Sequence, residues 1–216
     1  GVNGNGTTTL TGTNSFTGTT TIAAGSTLTL AGNNSAATGS IVDNGNLYIQ
    51  SSPTAVGPSQ VITVANGNTV NLRADASTVF TCGGIFPGTT IYFNVDQAAS
   101  GISGSTLTLN GPLTWSGAGT GVAAEGNNNY KLALGDLFGG NGGSATLFAD
   151  TADLTINSYN GLGNSSSLIF MGSQNCAVLN GMTNAPGNKA LGLVFNQTGT
   201  VTLWGPTVMA NTGSAA

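Results

Sequence analysis

Apolar and polar residues alternate in short stretches along the whole chain. In an extended strand a period of two places successive side chains on opposite faces, so each stretch predicts a β-strand with one apolar face. The clearest stretches are residues 26–30, 46–50, 60–64, 90–95, 105–109, 130–134, 145–148, 153–157, 167–170, 192–195 and 200–204.

Turn signals separate these stretches. Asn-Gly dipeptides, which favour tight turns because both residues tolerate positive φ, begin at Asn3, Asn5, Asn44, Asn66, Asn110, Asn141, Asn160 and Asn180. The best helical segment, 123–138, is interrupted by GNNN at 126–129 and by Gly135. We therefore expect an all-β protein in which this segment forms one helical turn at most.

A repeat selects among the all-β architectures. The hexapeptide GSTLTL at 25–30 returns unchanged at 104–109. This spacing is close to four coils of about twenty residues, and a coil of that length is typical of a parallel β-helix. Ten or so coils stacked at about 4.8 Å would form a rod of roughly 50 Å. A two-sheet β-sandwich is the alternative.

One segment also resembles a known family. Residues 9–32 read TLTGTNSFTGTTTIAAGSTLTLAG, which is similar to the autotransporter-associated β-strand repeat of bacterial type V secreted proteins. The matching elements are LTGTN at 10–14, Phe16 followed by Thr-Gly, TTI at 20–22, and Gly25 leading into the Leu28/Leu30 strand. The resemblance implies a secreted, right-handed parallel β-helix, and it does not supply an active site. We expect one β-solenoid domain over 1–216, complete in itself or a fragment of a longer secreted protein.

Charge is scarce and restricts the partners. Charged residues make up 5% of the chain and the net charge is -4, whereas an average globular domain has roughly 25% charged residues. The basic residues are Arg73, Lys131 and Lys189, too few for a phosphate-binding face. No apolar run approaches the roughly twenty residues that a transmembrane helix needs. We expect neither a nucleic-acid partner nor a membrane-spanning segment.

The residues for most catalytic and metal sites are also lacking. The chain has no His, which excludes a His-based triad and a His-ligated zinc site. Asp150 and Asp153 are the one close pair of carboxylates in the sequence, and they are expected to end one strand and begin the next rather than to act as a catalytic pair. We predict no catalytic, cofactor-binding or metal-binding residues and no cofactor.

Cys82 and Cys176 are more than ninety residues apart. In a solenoid with twenty-residue coils they would lie four or five coils apart, roughly 20 Å, whereas a disulfide needs Cα atoms within about 7 Å. We expect both thiols to be unpaired and buried, while a sandwich would favour pairing.

The two copies of GSTLTL predict apolar and polar faces. Leu28, Leu30, Leu107 and Leu109 should point inward. The outward Thr face should consist of Thr27, Thr29, Thr106 and Thr108. Such a face resembles in composition an ice-binding solenoid, but other coils carry NLYIQ, YKLAL and SLIFM. The aromatic residues have two possible roles, a platform for carbohydrate binding or packing in the core or at its ends. They are Tyr48, Tyr92, Trp115, Tyr130, Tyr159 and Trp204.

These observations give a functional hypothesis. The chain is poor in Lys and Glu and rich in Gly, Ser, Thr and Asn. This composition is common among proteins exposed on bacterial surfaces, so we expect an extracellular or cell-surface location. The hypothesis is a non-enzymatic, structural or adhesive passenger-type module. Its partners would be copies of itself or host or surface glycans and proteins. A self-assembling fibre or surface-layer subunit is the alternative, and an ice- or glycan-binding solenoid is third.

Overall fold

A computed structural model describes residues 1–115, 120–139, 143–161, 167–184 and 192–208. Those residues form β-strands and turns without any helix, and accordingly contain no helix long and apolar enough to cross a membrane. The protein is all-β, as the alternating pattern predicts.

The strands are short and follow one another closely. In chain order they are β1 (Thr7–Leu10), β2 (Thr20–Ile22), β3 (Thr27–Leu30), β4 (Ile41–Asp43), β5 (Asn46–Gln50), β6 (Val61–Val64), β7 (Thr69–Arg73), β8 (Thr78–Thr81), β9 (Gly84–Pro87), β10 (Thr90–Asp96), β11 (Thr106–Asn110), β12 (Leu113–Thr114), β13 (Thr120–Gly126), β14 (Lys131–Leu134), β15 (Leu137–Gly139), β16 (Ser144–Ala149), β17 (Leu154–Ile156), β18 (Tyr159–Gly161), β19 (Ser167–Gly172), β20 (Cys176–Val178), β21 (Met182–Asn184), β22 (Gly192–Gln197), β23 (Val201–Leu203) and β24 (Thr207–Val208).

The strands form three parallel sheets, two of nine strands and one of six strands that begins at β8. Sheet S1 has the order β1-β3-β5-β7-β10-β13-β16-β19-β22, sheet S2 the order β8-β11-β14-β17-β20-β23, and sheet S3 the order β2-β4-β6-β9-β12-β15-β18-β21-β24. Each strand pairs with the corresponding strand of the next coil, for example β10 with β13. The fold is a β-solenoid of about 8 turns, and the all-parallel pairing excludes the sandwich.

The coils differ in length. Thr27 of β3 pairs with Asn46 of β5, which makes a short coil, whereas Thr90 of β10 pairs with Gly121 of β13, which makes a much longer one. The coils are longer on average than the roughly twenty residues expected from the sequence, so the chain forms fewer coils than predicted. The strands of S1 span eight steps, or roughly 38 Å at about 4.8 Å per step, shorter than the predicted rod.

The core lies inside the tube that the sheets enclose. Inward rows of Leu, Ile, Val and Phe are stacked coil on coil, and the side chains of Leu47, Val70 and Phe93 in S1 are completely buried. Their register partners follow directly from one coil to the next. Burial of such rows, at about 25 cal/mol per Å² of apolar surface, is the main stabilising contribution.

The duplicated hexapeptide adopts the same local structure in two different sheets. Gly25 and Gly104 have φ angles of 78° and 83°, a region that favours glycine, and Ser26 and Ser105 follow with their N–H groups bonded back across the turn. The strand after the first copy is β3 in S1, but the strand after the second is β11 in S2. The interpretation of their spacing as four coils of about twenty residues is therefore wrong, because unequal coil lengths place the second copy in another sheet.

The segment 123–138 contains no helical turn. It begins in β13, continues through β14 and ends in β15. Asn128 and Asn129 have positive φ angles of 54° and 58°, so the GNNN interruption forms the turn between two strands. Asn is among the residues that tolerate this conformation.

Candidate functional site: a groove on the outer face of sheet S1

The outer face of S1 has a depression above the first part of β13, where the outward residues Gly121 and Ala123 are small. Ala123 pairs with Tyr92 of β10 on one side and with Phe148 of β16 on the other. Ala123 is only 3% exposed, whereas Tyr92 and Phe148 are half-buried. Met171 of β19 is the next residue beyond Phe148 in this row. The depression is therefore a groove with an aromatic side chain on each flank.

A second row of residues extends the groove along β13. Gly121 lies between Thr90 and Thr146, and a β-carbon at Gly121 would make ordinary contacts, 3.5 Å from the Thr146 backbone oxygen and 3.6 Å from the Thr90 side chain. The glycine thus leaves open a space that a side chain would fill. The groove has a volume of about 510 Å³, and none of the described residues that line it is charged. Small-molecule sites generally occupy about 300 to 1,000 Å³.

A polar cluster around Arg73 lies beside the groove on the same face. The Arg73 guanidinium donates to the backbone oxygen of Asn94 at 2.7 Å, to its Oδ1 at 2.6 Å, and to Asn71 Oδ1 at 3.3 Å. The guanidinium carbon also lies 5.6 Å from the centroid of the Tyr48 ring, within cation–π range. Burial lowers the pKa of Arg73, and the attraction of Asp96 opposes that shift. The cation therefore joins three neighbouring coils.

Asp96 is held in its charged form by this cluster. Burial raises the pKa of Asp96, but hydrogen bonds from Asn128, the Gln97 backbone and Asn127, together with the charge of Arg73, lower it below the ordinary value. The carboxylate accepts from Asn128 Nδ2 at 2.8 Å and from the Gln97 N–H at 2.8 Å. Its role in these contacts is to fasten turns of adjacent coils.

Asp150 and Asp153 lie between β16 and β17, where the sequence suggests that one strand ends and the next begins. Asp153 accepts hydrogen bonds from the backbone N–H and Nδ2 of Asn175 at 3.0 and 3.1 Å, and its other oxygen lies 3.4 Å from Lys131 Nζ. Lys189 lies outside the described residues. Within the described ranges, no group of three or more Cys, Asp and Glu side chains is placed to hold a metal ion.

The threonines of the duplicated hexapeptide do not form one face. Thr27 and Thr29 are on S1, whereas Thr106 and Thr108 are on S2. Thr27, Thr106 and Thr108 are half-buried, but Thr29 is only 9% exposed because Thr9 and Tyr48 flank it in the ladder. A flat array made of all four, as an ice-binding surface requires, is excluded by this separation. The leucines between them are buried.

The aromatic residues divide between core and surface. Trp115, Tyr130 and Tyr159 are buried, whereas Trp204 is 60% exposed. Tyr48 and Tyr92 are half-buried on the outer face of S1. The sequence analysis missed Phe148 as a surface aromatic. Its position within β16, opposite in phase to buried Leu147, is the signal that places it outside.

Both cysteines are buried and carry free thiols. Cys82 directly follows β8 and Cys176 is in β20, four strands away in S2, which is roughly 19 Å. Burial raises the pKa of Cys82 to about 11 and the pKa of Cys176 to about 12. Both thiols are thus protonated at neutral pH, and reaction requires the thiolate.

We expect a thiol reagent such as 5,5′-dithiobis(2-nitrobenzoate) to leave the folded protein unmodified at pH 8. In guanidinium chloride without a reductant, two thiols per chain should react. The Cys176→Ser variant, in which one thiol remains, is the control for the count. Absence of reactive thiols after unfolding would reveal a disulfide and contradict the structure.

Asp43 is a buried carboxylic acid inside the tube. It is completely buried in an inward position between Ile22 and Val64 of the adjacent coils. Its Oδ1 accepts the Gly45 N–H at 3.1 Å, and its Oδ2 has no hydrogen-bond partner among the described residues. Burial raises the pKa of Asp43 to about 6, although the Gly45 N–H acts in the opposite direction. With no access to solvent, this carboxyl is not available to a substrate.

No family model, curated protein or solved structure matches this chain. The resemblance of residues 9–32 to the autotransporter-associated repeat therefore stays a prediction. In the structure these residues run from β1 through β2 to β3, the first coil of the solenoid.

Proposed function

We propose that the protein is a non-enzymatic, structural or adhesive module on the surface of a bacterium, with the passenger-type β-helix architecture that residues 9–32 suggest. The observation that carries the proposal is the stack of parallel sheets, which continues over about 8 turns, with two sheets of nine strands and a third sheet of six strands that begins at β8. Such a stack is a stiff rod whose flat outer faces can present binding residues. The polar composition with few charges supports a location outside the cell.

The hydrogen bonds of the acidic residues support a non-enzymatic role. Asp75 accepts three successive backbone N–H groups, those of Ala98, Ala99 and Ser100. Asp136 accepts from Asn157 and Ser158 of the next coil. Like Asp96 and Asp153, these carboxylates join one coil to the next, whereas a glycosidase needs two carboxyl groups on either side of one bond.

The surface location is tested by labelling intact cells. An antibody against this chain is applied to cells of the producing bacterium before and after permeabilisation, with a cytosolic protein as the control. We expect equal staining in both conditions and loss of the signal when intact cells are treated with a protease. Staining that requires permeabilisation would overturn the proposed location.

The absence of enzymatic activity on polysaccharides is a separate prediction. We expect no release of reducing sugar or unsaturated product from a panel of neutral and acidic polysaccharides. Asp153→Asn should lower the free energy of unfolding by about 1 kcal/mol or less, because a partly exposed ion pair and hydrogen bonds are weakened. Asp150→Asn is the neighbouring control. Polysaccharide cleavage that either substitution abolishes would contradict the non-enzymatic role.

A fibre or surface-layer subunit is the second candidate, and the last described coil favours it. Phe195 stacks on buried Phe170 with ring centroids 5.3 Å apart, yet it is 54% exposed, and Trp204 is 60% exposed. Leu193 and Leu203 belong to the inward rows but are half-buried. An apolar face of this kind on the last described coil can receive a further coil, and where a second copy supplies that coil, head-to-tail addition generates a filament.

Self-association is tested by light scattering over a range of concentrations and between about 0.05 and 0.5 M salt. If the apolar face of the last described coil is the contact, the molecular mass should rise with concentration and depend little on salt, since ion pairs contribute little. The Phe195→Ser, Trp204→Ser double variant should stay monomeric. A wild-type protein that stays monomeric at high concentration would remove the fibre candidate and leave the single module.

A further inference from the structure

We propose that the groove above β13 binds a neutral carbohydrate chain, with one sugar ring held between Tyr92 and Phe148. This inference deepens the adhesive function proposed above and rests on it. It concerns the ligand class, which the fold alone does not specify.

The spacing of the two aromatic side chains fits a single intervening ring. Tyr92 and Phe148 are register partners of Ala123 on opposite sides, so their strands are two steps apart, roughly 9.6 Å. Stacked rings have centroids about 4.5 to 7 Å apart, and the two side chains are therefore too distant to stack on each other. A ring inserted above Ala123 would lie within stacking distance of both.

The rest of the groove provides hydroxyl groups. Thr90 and Thr146 face each other across Gly121, two residues along the strand from the aromatic pair, and Thr120 and Ser144 also line the groove. A pyranose has apolar C–H faces and a rim of hydroxyls, which match aromatic flanks next to threonines. A lipid acyl chain or a purely apolar ligand would not use these hydroxyls and would remove them from water at a cost.

Charge argues against an anionic ligand. The described residues that line the groove are uncharged, and Arg73, the neighbouring cation, already donates to Asn71, Leu72 and Asn94. A sulfated or uronic polysaccharide would find no free cation among the described groove residues.

The strand pairing also argues against a peptide that adds as a strand. β13 pairs with β10 on one side and β16 on the other, so its backbone donors and acceptors are used within the sheet. A ligand in the groove must therefore be bound by side chains.

Three substitutions, two in the groove and one outside it, distinguish binding in the groove from binding elsewhere on the surface. Ala123→Leu fills the space between Tyr92 and Phe148. Gly121→Val fills the second row, where a β-carbon meets only ordinary contacts. Ala133→Leu makes the same change as Ala123→Leu at a half-buried outward position of β14 in S2. Circular dichroism and unfolding curves check that each variant folds.

Binding is measured by calorimetry with the neutral hexasaccharides of cellulose, laminarin, xylan and chitin, and with heparin and polygalacturonate as anionic probes. We expect at least one neutral oligosaccharide to bind. Ala123→Leu and Gly121→Val should abolish that binding, Ala133→Leu should leave it unchanged, and Tyr92→Ala and Phe148→Ala should each weaken it roughly tenfold.

Four results would overturn the inference. They are no binding of any neutral probe, binding of anionic probes alone, equal binding by wild type and Ala123→Leu, and occupation of the groove by the uncharged apolar dye Nile red that neutral sugars do not displace. Surface labelling of intact cells is independent of these results. Labelled cells without sugar binding would refute the ligand and retain the surface function, whereas staining that needs permeabilisation would refute the surface function itself.

Discussion

Replacing Leu109 with alanine is expected to lower the free energy of unfolding by about 2 to 5 kcal/mol. Leu109 is completely buried and lies in the inward row of S2 between Phe80 and Leu134. Truncation leaves a cavity that the neighbouring coils, held by their own ladders, close only in part. Guanidinium chloride unfolding, followed by circular dichroism and by the fluorescence of Trp115, measures the loss.

Thr108→Ser on the same strand is the matched control. Thr108 is half-buried on the outer face, so the loss of its methyl group should change stability by about 0.5 kcal/mol or less. Equal losses from the two substitutions would show that the faces of β11 are assigned incorrectly.

Asp43→Asn is expected to raise the free energy of unfolding relative to wild type, and this gain should be roughly 2.5 kcal/mol larger at pH 8 than at pH 4. The pKa of Asp43 is raised to about 6 in the folded protein from an ordinary 3.8, so the folded state holds the proton more tightly than the unfolded state. The contribution of Asp43 to stability is therefore complete below about pH 4, is lost as the pH rises from there through about 6, and stays constant above that. Asparagine keeps the shape of the side chain without ionising.

The measurement is the difference in unfolding free energy between Asp43→Asn and wild type at intervals from pH 4 to pH 8. Titration of other groups, including Asp96, is common to both proteins and cancels in the difference. The difference should grow between about pH 4 and pH 6 and level off above that. A difference that is constant with pH would mean that Asp43 titrates normally and is not buried as described.

The all-β class could be predicted from the sequence because many of its strands follow the period of two. The alternating stretches at 46–50 and 90–95 coincide with β5 and with most of β10, and the turn residues delimit them. Strands such as β9, with Pro87 at its end, and β13, with glycines at 121 and 126, do not alternate clearly. They are fixed by pairing with neighbouring coils, which a local pattern does not contain.

The groove could not be predicted because it depends on register. Tyr92, Ala123 and Phe148 are far apart in the sequence, and they become neighbours only because two successive long coils return the chain to S1 in this register. The hexapeptide at 25–30 and 104–109 shows the same limit. Its local turn and strand are set by the residues, whereas its sheet is set by the lengths of the coils before it.

Unequal coil lengths have a consequence for how such a molecule can diversify. The short coil from Thr27 to Asn46 has no strand in S2, whereas the long coil from Thr90 to Gly121 contributes β11 to S2, and both continue the parallel ladder of S1. Part of the extra length is thus a strand, and the rest lies in the connections between sheets. An insertion in such a connection enlarges a corner without interrupting the ladder of S1. Descendants of such a protein can therefore acquire new recognition loops by insertion while the residues that direct folding stay unchanged.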